Sequence, residues 1–488
     1  MRTGTERRFW PILLTLFLGS FAGVYHVVSL NVSLPGFIGI FHAELNTVQW
    51  VITGFSLACG MIAPVSGYVC LRFGSKRVFL WSLAGISVTS LLCAISWNVQ
   101  ALIGFRILQG VFCGLIQPVS LMMIYQTLPR ERQSLAVSVW SFSTVLATAI
   151  GPSLSGWFQQ VDWHLIFLVT VPLGIGAWIA AKVLLPSAGG ADASRKLDIA
   201  GLFLATGGSL AMLLLFGNLH QWGLASPLTW ACLIAGGAAF VMFVRVELRT
   251  PEPLLNLRLF RNLPFTASLS LTLILTVALY SGVYFIPLFL EEIRGMSAFH
   301  IGLLFLPAAA CLTLATFLSG KIYASRGPAL LVGAGSLLLL AANLHFSRLH
   351  PETTLLSVII WLCIRNAGTG FALTPATGSA MGAVSEQESG DASALLSWLR
   401  QIVSSISLGM FTSVFYVRLG IHEARMHAEL NANGLSREQL YREAYTQSIG
   451  DAFWLASGLI AAAIPLVWLI RRKRQPQDAG APALKRSV

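Results

Sequence analysis

The sequence predicts an all-α, polytopic membrane protein, and three observations lead to this fold class. The 488 residues are 55% hydrophobic and only 11% charged, with a mean hydropathy of +0.73, whereas a soluble domain is about one quarter charged. Apolar windows of about 20 residues, long enough to cross a bilayer as a helix, recur along nearly the whole chain. These windows are continuous rather than alternating, which favours helices over a membrane β-barrel.

Fourteen membrane spans are predicted in order along the chain, each from one continuous apolar run. They cover residues 10–32, 47–70, 78–97, 100–125, 134–158, 164–185, 198–217, 228–248, 264–290, 298–322, 329–346, 353–381, 392–418 and 450–470. The first run follows Arg7 and Arg8, exceeds the apolar core of a signal peptide and lacks a clear cleavage site, so we predict an uncleaved span. An even number of spans places both termini on the same side.

The basic residues concentrate on one predicted side of the membrane. With the N-terminus inside, 23 of the 32 lysines and arginines lie in inner loops and tails, 6 lie outside and 3 lie within spans. This bias predicts a multi-pass protein of the cell inner membrane with both termini cytoplasmic. The net charge of +12 therefore follows from membrane topology, and no nucleic acid is expected as a partner.

Neither a cofactor nor a metal is expected. The seven cysteines lie within or beside apolar runs and form no C-x-x-C pair, which indicates small buried hydrophobes rather than a zinc site or a disulfide framework. The histidines other than His26 map to outer loops or outer span ends without metal-ligand spacing. No G-x-x-x-x-G-K-[ST] sequence occurs, so direct use of ATP is not expected.

Two pairs of similar segments indicate an internal duplication. GYVCLRFGSKR (67–77) resembles GKIYASRGPA (320–329), and FRILQG (105–110) resembles IRNAGTG (364–370), at offsets of 253 and 259 residues. Such parallel repeats build transporters whose binding site lies between two halves. We predict an N-terminal six-helix half at 1–190, a two-helix insert at 191–255, a C-terminal six-helix half at 256–475 and a cytoplasmic tail at 476–488.

Segments along nearly the whole chain carry a resemblance to a known family. They are NVSLP (31–35), GYVCLRFGSKR (67–77), RILQG (106–110), AIGPSLSG (149–156), DWHLIFLVTVPLG (162–174), NLRLFRN (256–262), YFIPLFLEEIRGMSAFHIGLLFLP (284–307) and GDASALLSWLRQ (390–401). The chain resembles the fourteen-span drug:proton antiporters of the major facilitator superfamily. The resemblance implies the major facilitator fold, with two inserted central helices, and export by alternating access.

Two of these segments are predicted to serve conformational change. The predicted conformational residues are Gly67, Arg72, Gly74, Lys76, Arg77, Gly151, Pro152, Gly156 and Arg326. The turn at 67–77 resembles the family's cytoplasmic latch but has Leu71 where the family has an aspartate, and its basic residues also fit topology alone. The segment at 149–156 resembles the family's exporter motif, with Ala147 and Ser155 replacing glycines. Generic helix packing by small residues is the alternative.

His26 is the residue of the first span that most invites a functional interpretation. The family usually has an aspartate there, and an ionisable group within a membrane span usually marks a transport pathway. An imidazole also titrates near neutral pH. We predict that His26 is the proton-coupling group, with Ser29 and Ser33 on its helical face as hydrogen-bond partners. The alternative is a neutral histidine bonded to a nearby hydroxyl or carbonyl.

The other ionisable groups predicted inside the membrane are the arginines Arg106, Arg365 and Arg400, since all twenty acidic residues can be placed in loops or at span ends. Arg106 resembles the family's fourth-span arginine, which the resemblance implicates in coupling. Arg365 and Arg400 are cavity candidates, although Arg400 can also extend to the cytoplasmic edge. The further cavity candidates are Ser29, Trp50, Trp140 and Tyr280, and packing or lipid contact is the alternative for the aromatic residues.

The function predicted from the sequence is proton-driven export of amphipathic organic compounds, drug-like or anionic, such as fatty acids or acidic antibiotics. A basic interior without carboxylates disfavours cations. The expected partners are the small-molecule substrate, protons, the lipid bilayer and, as a further candidate, a periplasmic adaptor protein. A multi-pass membrane enzyme such as an acyltransferase is one alternative, but no nucleophile or His–carboxylate pair is evident. A non-transporting membrane sensor is the other.

Overall fold

A computed structural model shows the fold and describes residues 3–43, 45–186, 198–223, 225–250, 253–385, 388–433 and 437–470. Within these residues the chain is helical throughout, without strands. The α-helices are α1 (Thr3–Val28), α2 (Leu30–Phe41), α3 (Leu45–Ile62), α4 (Ser66–Phe73), α5 (Ser75–Ala94), α6 (Val99–Thr127), α7 (Arg130–Val161), α8 (Leu165–Leu168), α9 (Thr170–Leu184), α10 (Ile199–Trp222), α11 (Pro227–Arg249), α12 (Leu263–Leu288), α13 (Ala298–Arg326), α14 (Pro328–Phe346), α15 (Leu355–Gly382), α16 (Ser389–Asn433) and α17 (Arg437–Ala463).

Short 3-10 and π turns extend or join these helices. Ala63–Val65 links α3 to α4, Leu257–Arg261 precedes α12, and Ile464–Ile470 continues α17 as 3-10 turns, while the π turn Phe289–Ile293 follows α12. Among the described residues, thirteen helical segments are long and apolar enough to cross a membrane. The fifth predicted span corresponds to α7, whose apolar stretch is the shorter segment Leu135–Thr148. The predicted all-α membrane fold is therefore confirmed.

Helix signals in the sequence account for several of the boundaries. Asn98 is the N-cap of α6, and its side chain accepts the N–H of Ala101 at 2.7 Å. Asp198 is the N-cap of α10, and its side chain accepts the N–H of Gly201. Gly74 and Gly327 adopt positive φ angles of 87° and 76° at the two related turns. Glycine adopts such angles without steric cost, which explains why both copies of this turn contain one.

Close helix pairs recur at related positions in the two halves. A Cβ on Gly110 of α6 would lie 2.4 Å from the carbonyl oxygen of Phe55 in α3. A Cβ on Gly370 of α15 would lie 2.8 Å from the carbonyl oxygen of Leu312 in α13. Small residues permit this backbone approach, which drives helix association where no hydrophobic force acts between helices. The α3–α6 and α13–α15 pairs are thus equivalent packing units of a duplicated fold.

The inserted helices α10 and α11 pack against each other, and α10 also contacts α3 of the first half and α16 of the second. A Cβ on Gly60 would meet Leu213 of α10 at 2.5 Å, and one on Gly409 would meet the carbonyl oxygen of Phe216 at 2.4 Å. Trp398 of α16 donates its indole N–H to Ser209 of α10 at 2.7 Å. The insert therefore touches both halves.

The segment between the last two spans forms a helical extension. Helix α16 is 45 residues long, which corresponds to about 68 Å at 1.5 Å per residue and exceeds the thickness of a bilayer. Its end and the start of α17 therefore project beyond the membrane as two helices. Residues 187–197 and the predicted tail 476–488 lie outside the described residues.

We expect Gly110→Ala to lower the free energy of unfolding by about 1–3 kcal/mol, because the new methyl group overpacks the α3–α6 contact. This loss should outweigh the gain of about 1 kcal/mol in helix propensity. Thermal unfolding of the purified protein in detergent measures it. Gly104→Ala on the same helix is the control, since nothing lies within 4 Å of its Cβ position. Equal stability of the two variants would contradict the close-packing interpretation.

Candidate functional site

His26 lies at the point where the first span is interrupted. Helix α1 ends at Val28 and α2 begins at Leu30, so a single residue, Ser29, separates them. The His26 side chain is only 1% exposed and points into the first half of the bundle. The neighbouring helices that contact α1 include α6, α7 and α9, so the imidazole is enclosed by protein rather than lipid.

The imidazole takes part in a buried hydrogen-bond network. His26 Nε2 lies 3.1 Å from Ser90 Oγ and 3.4 Å from Gln109 Nε2. Gln109 Nε2 donates to Ser90 Oγ at 2.8 Å, and Ser90 Oγ lies 3.1 Å from Thr170 Oγ1. All of these side chains are buried. Helices α1, α5, α6 and α9 therefore meet at one polar centre.

Arg106 fixes the direction in which this network runs. Its Nη1 donates to Gln109 Oε1 at 2.6 Å, so the amide of Gln109 presents its nitrogen to His26. An amide nitrogen can only donate, so the Nε2 of His26 that faces it is the unprotonated nitrogen of a neutral imidazole. If Nε2 were protonated, its N–H would face the N–H of Gln109. Two donors cannot bond to each other, so the Gln109 amide would be displaced.

Arg106 itself is 1% exposed and is held by neutral groups. Nη2 donates to the carbonyl oxygen of His26 at 3.0 Å, and Nε donates to that of Val51 at 3.2 Å. The guanidinium carbon lies 3.8 Å from the centre of the Phe55 ring, a cation–π contact. Within the described part of the chain, none of these partners is a carboxylate. Arg106 thus joins α1, α3 and Gln109 through one rigid, permanently charged group.

The second half contains a related arrangement around Arg365. This side chain is also 1% exposed, and its Nη2 donates to the carbonyl oxygens of Ala278 and Leu279 in α12, each at 2.9 Å. Nε donates to Asn343 Oδ1 at 3.3 Å. A Cβ on Gly282 would lie 2.2 Å from the Arg365 guanidinium carbon, so only glycine admits the side chain there. Each half therefore uses a buried arginine to bind the backbone of its first helix.

The residues of the two arginine sites are related by the internal sequence repeat. Asn343 is 253 residues after Ser90 and Arg365 is 259 after Arg106, close to the offsets of the repeated sequence segments. In the first half the position of the asparagine is taken by a serine, and Gln109 fills the gap between that serine and Arg106. The second half has no titratable group in the position of His26, so the two arginine sites are similar in geometry but not in chemistry.

The predicted partners of His26 are corrected by the structure. The hydroxyl groups of Ser29 and Ser33 are buried and have no hydrogen-bond partner among the described residues, so the prediction that they bond to His26 is wrong. Their carbonyl oxygens accept instead from α7, that of Ser29 from the Ser155 hydroxyl and that of Ser33 from Gln159 at 2.9 Å.

The prediction that the buried ionisable groups are all basic is also incomplete. Glu247, near the end of α11, is 1% exposed, and Asp391, near the start of α16, is 8% exposed. Both lie at span ends, as expected, yet helix packing covers them. Sequence position alone does not reveal this, because the covering residues belong to other helices.

The remaining cavity candidates occupy different environments. Arg400 of α16 is half-buried, and Tyr280 of α12 is near enough to act on it electrostatically. Trp140 is buried and donates its indole N–H to Ser20 at 2.6 Å, whereas Trp50 is 46% exposed. Their contact with a substrate stays a prediction.

The turn at 67–77 packs directly against the second half. A Cβ on Gly67 would lie 2.8 Å from the Ala394 Cβ of α16, and one on Gly390 would lie 3.6 Å from Leu71. Ser393 of α16 donates to the carbonyl oxygen of Pro118 in α6 at 3.0 Å. The apolar Leu71 thus lies where α16 begins. We call the end of the bundle that contains this turn the basic end.

The basic residues of this turn act within the first half. Lys76 Nζ donates to the carbonyl oxygens of Lys182 and Leu185, at 2.9 and 2.6 Å, at the end of α9, where a cation is stabilised by the helix dipole. Arg72 donates to the Tyr68 hydroxyl. Arg77 is exposed, as is Arg326 at the end of α13.

The segment at 149–156 packs α7 against the interruption of the first span. A Cβ on Gly151 would lie 2.7 Å from Val28 Cγ2 and 3.7 Å from Tyr25. Ala147 is fully buried in the same contact region. Gly156 follows Ser155 in the same helix, and the side chain of Pro152 lies outside the described part. The small residues thus bring α7 against the α1–α2 junction that contains Ser29.

We expect the Arg106→Lys variant to lose most of the predicted transport activity. A single ammonium group cannot bond to the Gln109 side chain and to the carbonyls of His26 and Val51 together. A transport rate at least about tenfold lower than that of the parent, in reconstituted vesicles, is the expected result, from the loss of charged hydrogen bonds. The exposed Arg77→Lys is the control. A fully active Arg106→Lys variant would show that charge alone suffices.

Comparisons with known proteins identify the family and the fold. A family model described as Major Facilitator Superfamily matches residues 14–408. The tetracenomycin C resistance and export protein of Streptomyces glaucescens is 29% identical over 75% of this chain and 68% of its own. The lincomycin resistance protein LmrB of Listeria monocytogenes is 26% identical over 95% and 97%. The crystal structure of the human organic anion transporter MFSD10 shares the fold, with a TM-score of 0.66 at 16% identity, covering 95% of this chain and 99% of the other.

Proposed function

This chain belongs to the major facilitator superfamily, and we propose that it exports amphipathic organic molecules in exchange for protons by alternating access. Its relatives are transporters rather than enzymes, and those named for a substrate are drug-resistance and export proteins, so it is a membrane exporter. An acyltransferase activity is therefore excluded. The substrate class, the coupling ion and the contribution of each residue belong to the proposal.

The observation that carries the proposal is the contact between His26 and Gln109. The neutral imidazole accepts from an amide whose other end is bonded to Arg106, and Arg106 is bonded to the backbone of His26 itself. Protonation of Nε2 places a second positive charge beside Arg106 and replaces an acceptor with a donor. Both effects oppose the observed arrangement, so proton binding favours another conformation of α1 relative to α6.

The coupling follows from how these helices connect to the rest of the bundle. Helix α1 packs on α7 through Gly151, and α7 contacts α13 and α15 of the second half. A shift of α1 therefore reaches the interface between the halves, which is closed at the basic end by the contact of Gly67 with α16. In this scheme, proton binding and substrate release select different arrangements of that interface.

The cavity charge supports anionic or neutral amphiphiles as substrates. Arg400 is a half-buried cation of the second half on which Tyr280 acts electrostatically, and the buried acidic groups Glu247 and Asp391 are at span ends rather than in the middle of the membrane. A half-buried arginine suits a carboxylate attached to an apolar body. Fatty acids and acidic antibiotics have this chemistry. A periplasmic adaptor contacting the projecting parts of α16 and α17 is proposed as a further partner.

We expect His26→Ala to abolish proton-driven export while leaving the fold intact, because alanine cannot carry the proton. The assay uses proteoliposomes with an imposed pH gradient, a fluorescent fatty acid as the probe and a pH-sensitive dye inside. Substrate-dependent proton flux should fall to the level of empty liposomes. The matched control is His350→Ala, which removes an exposed histidine.

An undiminished proton-driven rate in His26→Ala would refute the role of His26. The same assay separates transport from a sensor function, since a sensor produces no substrate-dependent flux in the parent protein. Gln109→Leu gives a second test of the coupling. Leucine is neutral, as the amide is, but it cannot donate a hydrogen bond to His26 Nε2. This variant should therefore shift the pH dependence of transport rather than abolish binding of the probe.

Arg400→Gln should weaken transport of the anionic probe about tenfold or more, which corresponds to the loss of one hydrogen bond to a charged group. A neutral probe of similar size, the methyl ester of the same fatty acid, should be affected much less. The ratio of the two rates in the parent and the variant is the measurement. An equal loss for both probes would show that Arg400 has a structural role only.

A further inference from the structure

Two acidic side chains face each other at one end of the inserted helices. Glu247 of α11 is 1% exposed, and its Oε2 accepts the backbone N–H of Leu255 at 3.4 Å. Asp198 begins α10, and its Oδ1 accepts the N–H of Gly201 at 2.8 Å. Each carboxylate therefore uses one oxygen to bind the backbone.

The other two oxygens are buried and have no hydrogen-bond partner among the described residues. They are Glu247 Oε1 and Asp198 Oδ2. The position that a Cβ on Gly201 would occupy lies 2.6 Å from the first and 2.7 Å from the second. Both oxygens thus border the same small space, which exists because residue 201 has no side chain.

Among the described residues, no cation compensates the charge of this pair. The charged groups that act on Glu247 are Asp198 and, from the start of α16, Asp391, both acidic. The arginines of α11 and of the following 3-10 turn are exposed to the outside of the bundle: Arg245, Arg249, Arg258 and Arg261. Helices α3 and α16 pack on α10, and neither adds a further charged group that acts on Glu247.

Two ionised carboxylates are unstable in such a place. Like charges at short range in a medium of low dielectric constant repel, and an unpartnered buried oxygen also loses its hydration. One proton resolves both problems, because a carboxylic acid O–H on one residue donates to the free oxygen of the other. A metal would need more ligands, and no cluster of three or more metal-binding side chains occurs in the described part of the chain.

The structure assigns to Glu247 and Asp198 a proton-binding site, separate from His26, in which Glu247 Oε1 and Asp198 Oδ2 share one proton. The proton adds to the dianionic pair without any other bond being made or broken, so the pair changes from two negative charges to one.

The position of the pair allows its protonation to affect the interface between the halves. Glu247 holds the start of the segment that leads into the second half through Leu255, and it senses Asp391 at the beginning of α16. The same helix α16 contacts Gly67 at the basic end. A change of charge at the pair therefore acts on the helix that closes this interface.

Infrared difference spectroscopy between acidic and alkaline buffer tests the site on the purified full-length protein. The parent should show the C=O stretch of a protonated carboxylic acid that disappears in alkaline buffer. Glu247→Gln and Asp198→Asn should each remove this band, and potentiometric titration should show one proton fewer bound per chain. Asparagine retains the N-cap of α10, so the second variant is expected to fold.

Gly201→Ala is a further variant that preserves both carboxylates and favours the helix. Its methyl group would occupy the space between the two oxygens, so the shared-proton band should shift or vanish. Glu291→Gln, which changes an exposed carboxylate, is the control and should leave the band unchanged. His26→Ala should also leave it unchanged, which separates this site from the proposed antiport mechanism.

Two results would overturn the assignment. A band that persists in both Glu247→Gln and Asp198→Asn would place the protonated carboxyl elsewhere. A parent protein without any such band would show that both carboxylates are ionised. Neither result would bear on proton coupling by His26, which the vesicle assay measures independently.

Discussion

A buried arginine needs acceptors for its donors, and in this protein backbone carbonyls of neighbouring helices supply most of them. Removing a cation from water costs on the order of several kcal/mol even after the protein relaxes, and Arg106 offsets this cost with two carbonyls, one amide and an aromatic face. Because its bonds within the described part of the chain are to neutral groups, its positive charge is not neutralised there. The state of His26 therefore cannot change without affecting Arg106, and the helices that Arg106 joins respond as a unit.

The second half shows which part of this arrangement is structural. Arg365 binds carbonyls of α12 as Arg106 binds that of His26 in α1, and Gly282 provides the space for it. A duplicated chain thus retains the arginine-to-backbone contact in both halves, whereas the imidazole and the glutamine occur in the first half alone. The shared contact joins helices within each half. The unshared imidazole and glutamine add a titratable group to this arrangement, and they are the residues to which we assign proton coupling.

The sequence predicts the membrane class, the helices, the repeat and the family, because hydropathy and small-residue spacing are local properties. It identifies His26, Arg106 and Arg365 as buried, since such groups stand out against apolar neighbours. It does not identify Ser90 or Thr170, which are ordinary residues of other spans, nor does it show that the Ser29 and Ser33 hydroxyls make no bond to His26. Gln109 had a usable signal, because it lies three residues after Arg106 and so shares its helical face. The burial of Glu247 cannot be predicted from the sequence for a different reason. It depends on Gly201 of another helix, which has no side chain and so leaves space for the Glu247 carboxylate.

Protons at the two sites would have opposite electrostatic relations to their surroundings. In the proposed mechanism, a proton at His26 would add positive charge next to Arg106, so its binding would be unfavourable in this conformation. A proton shared by Glu247 and Asp198 would remove negative charge from a crowded pair, so its binding would be favourable in the same conformation. A conformation without a proton at the first site and with one at the second would be internally consistent, because each site would then be in its less charged form. A transition to the opposite conformation would have to hydrate or re-pair both sites, and that requirement would link the inserted helices to the half that contains the imidazole.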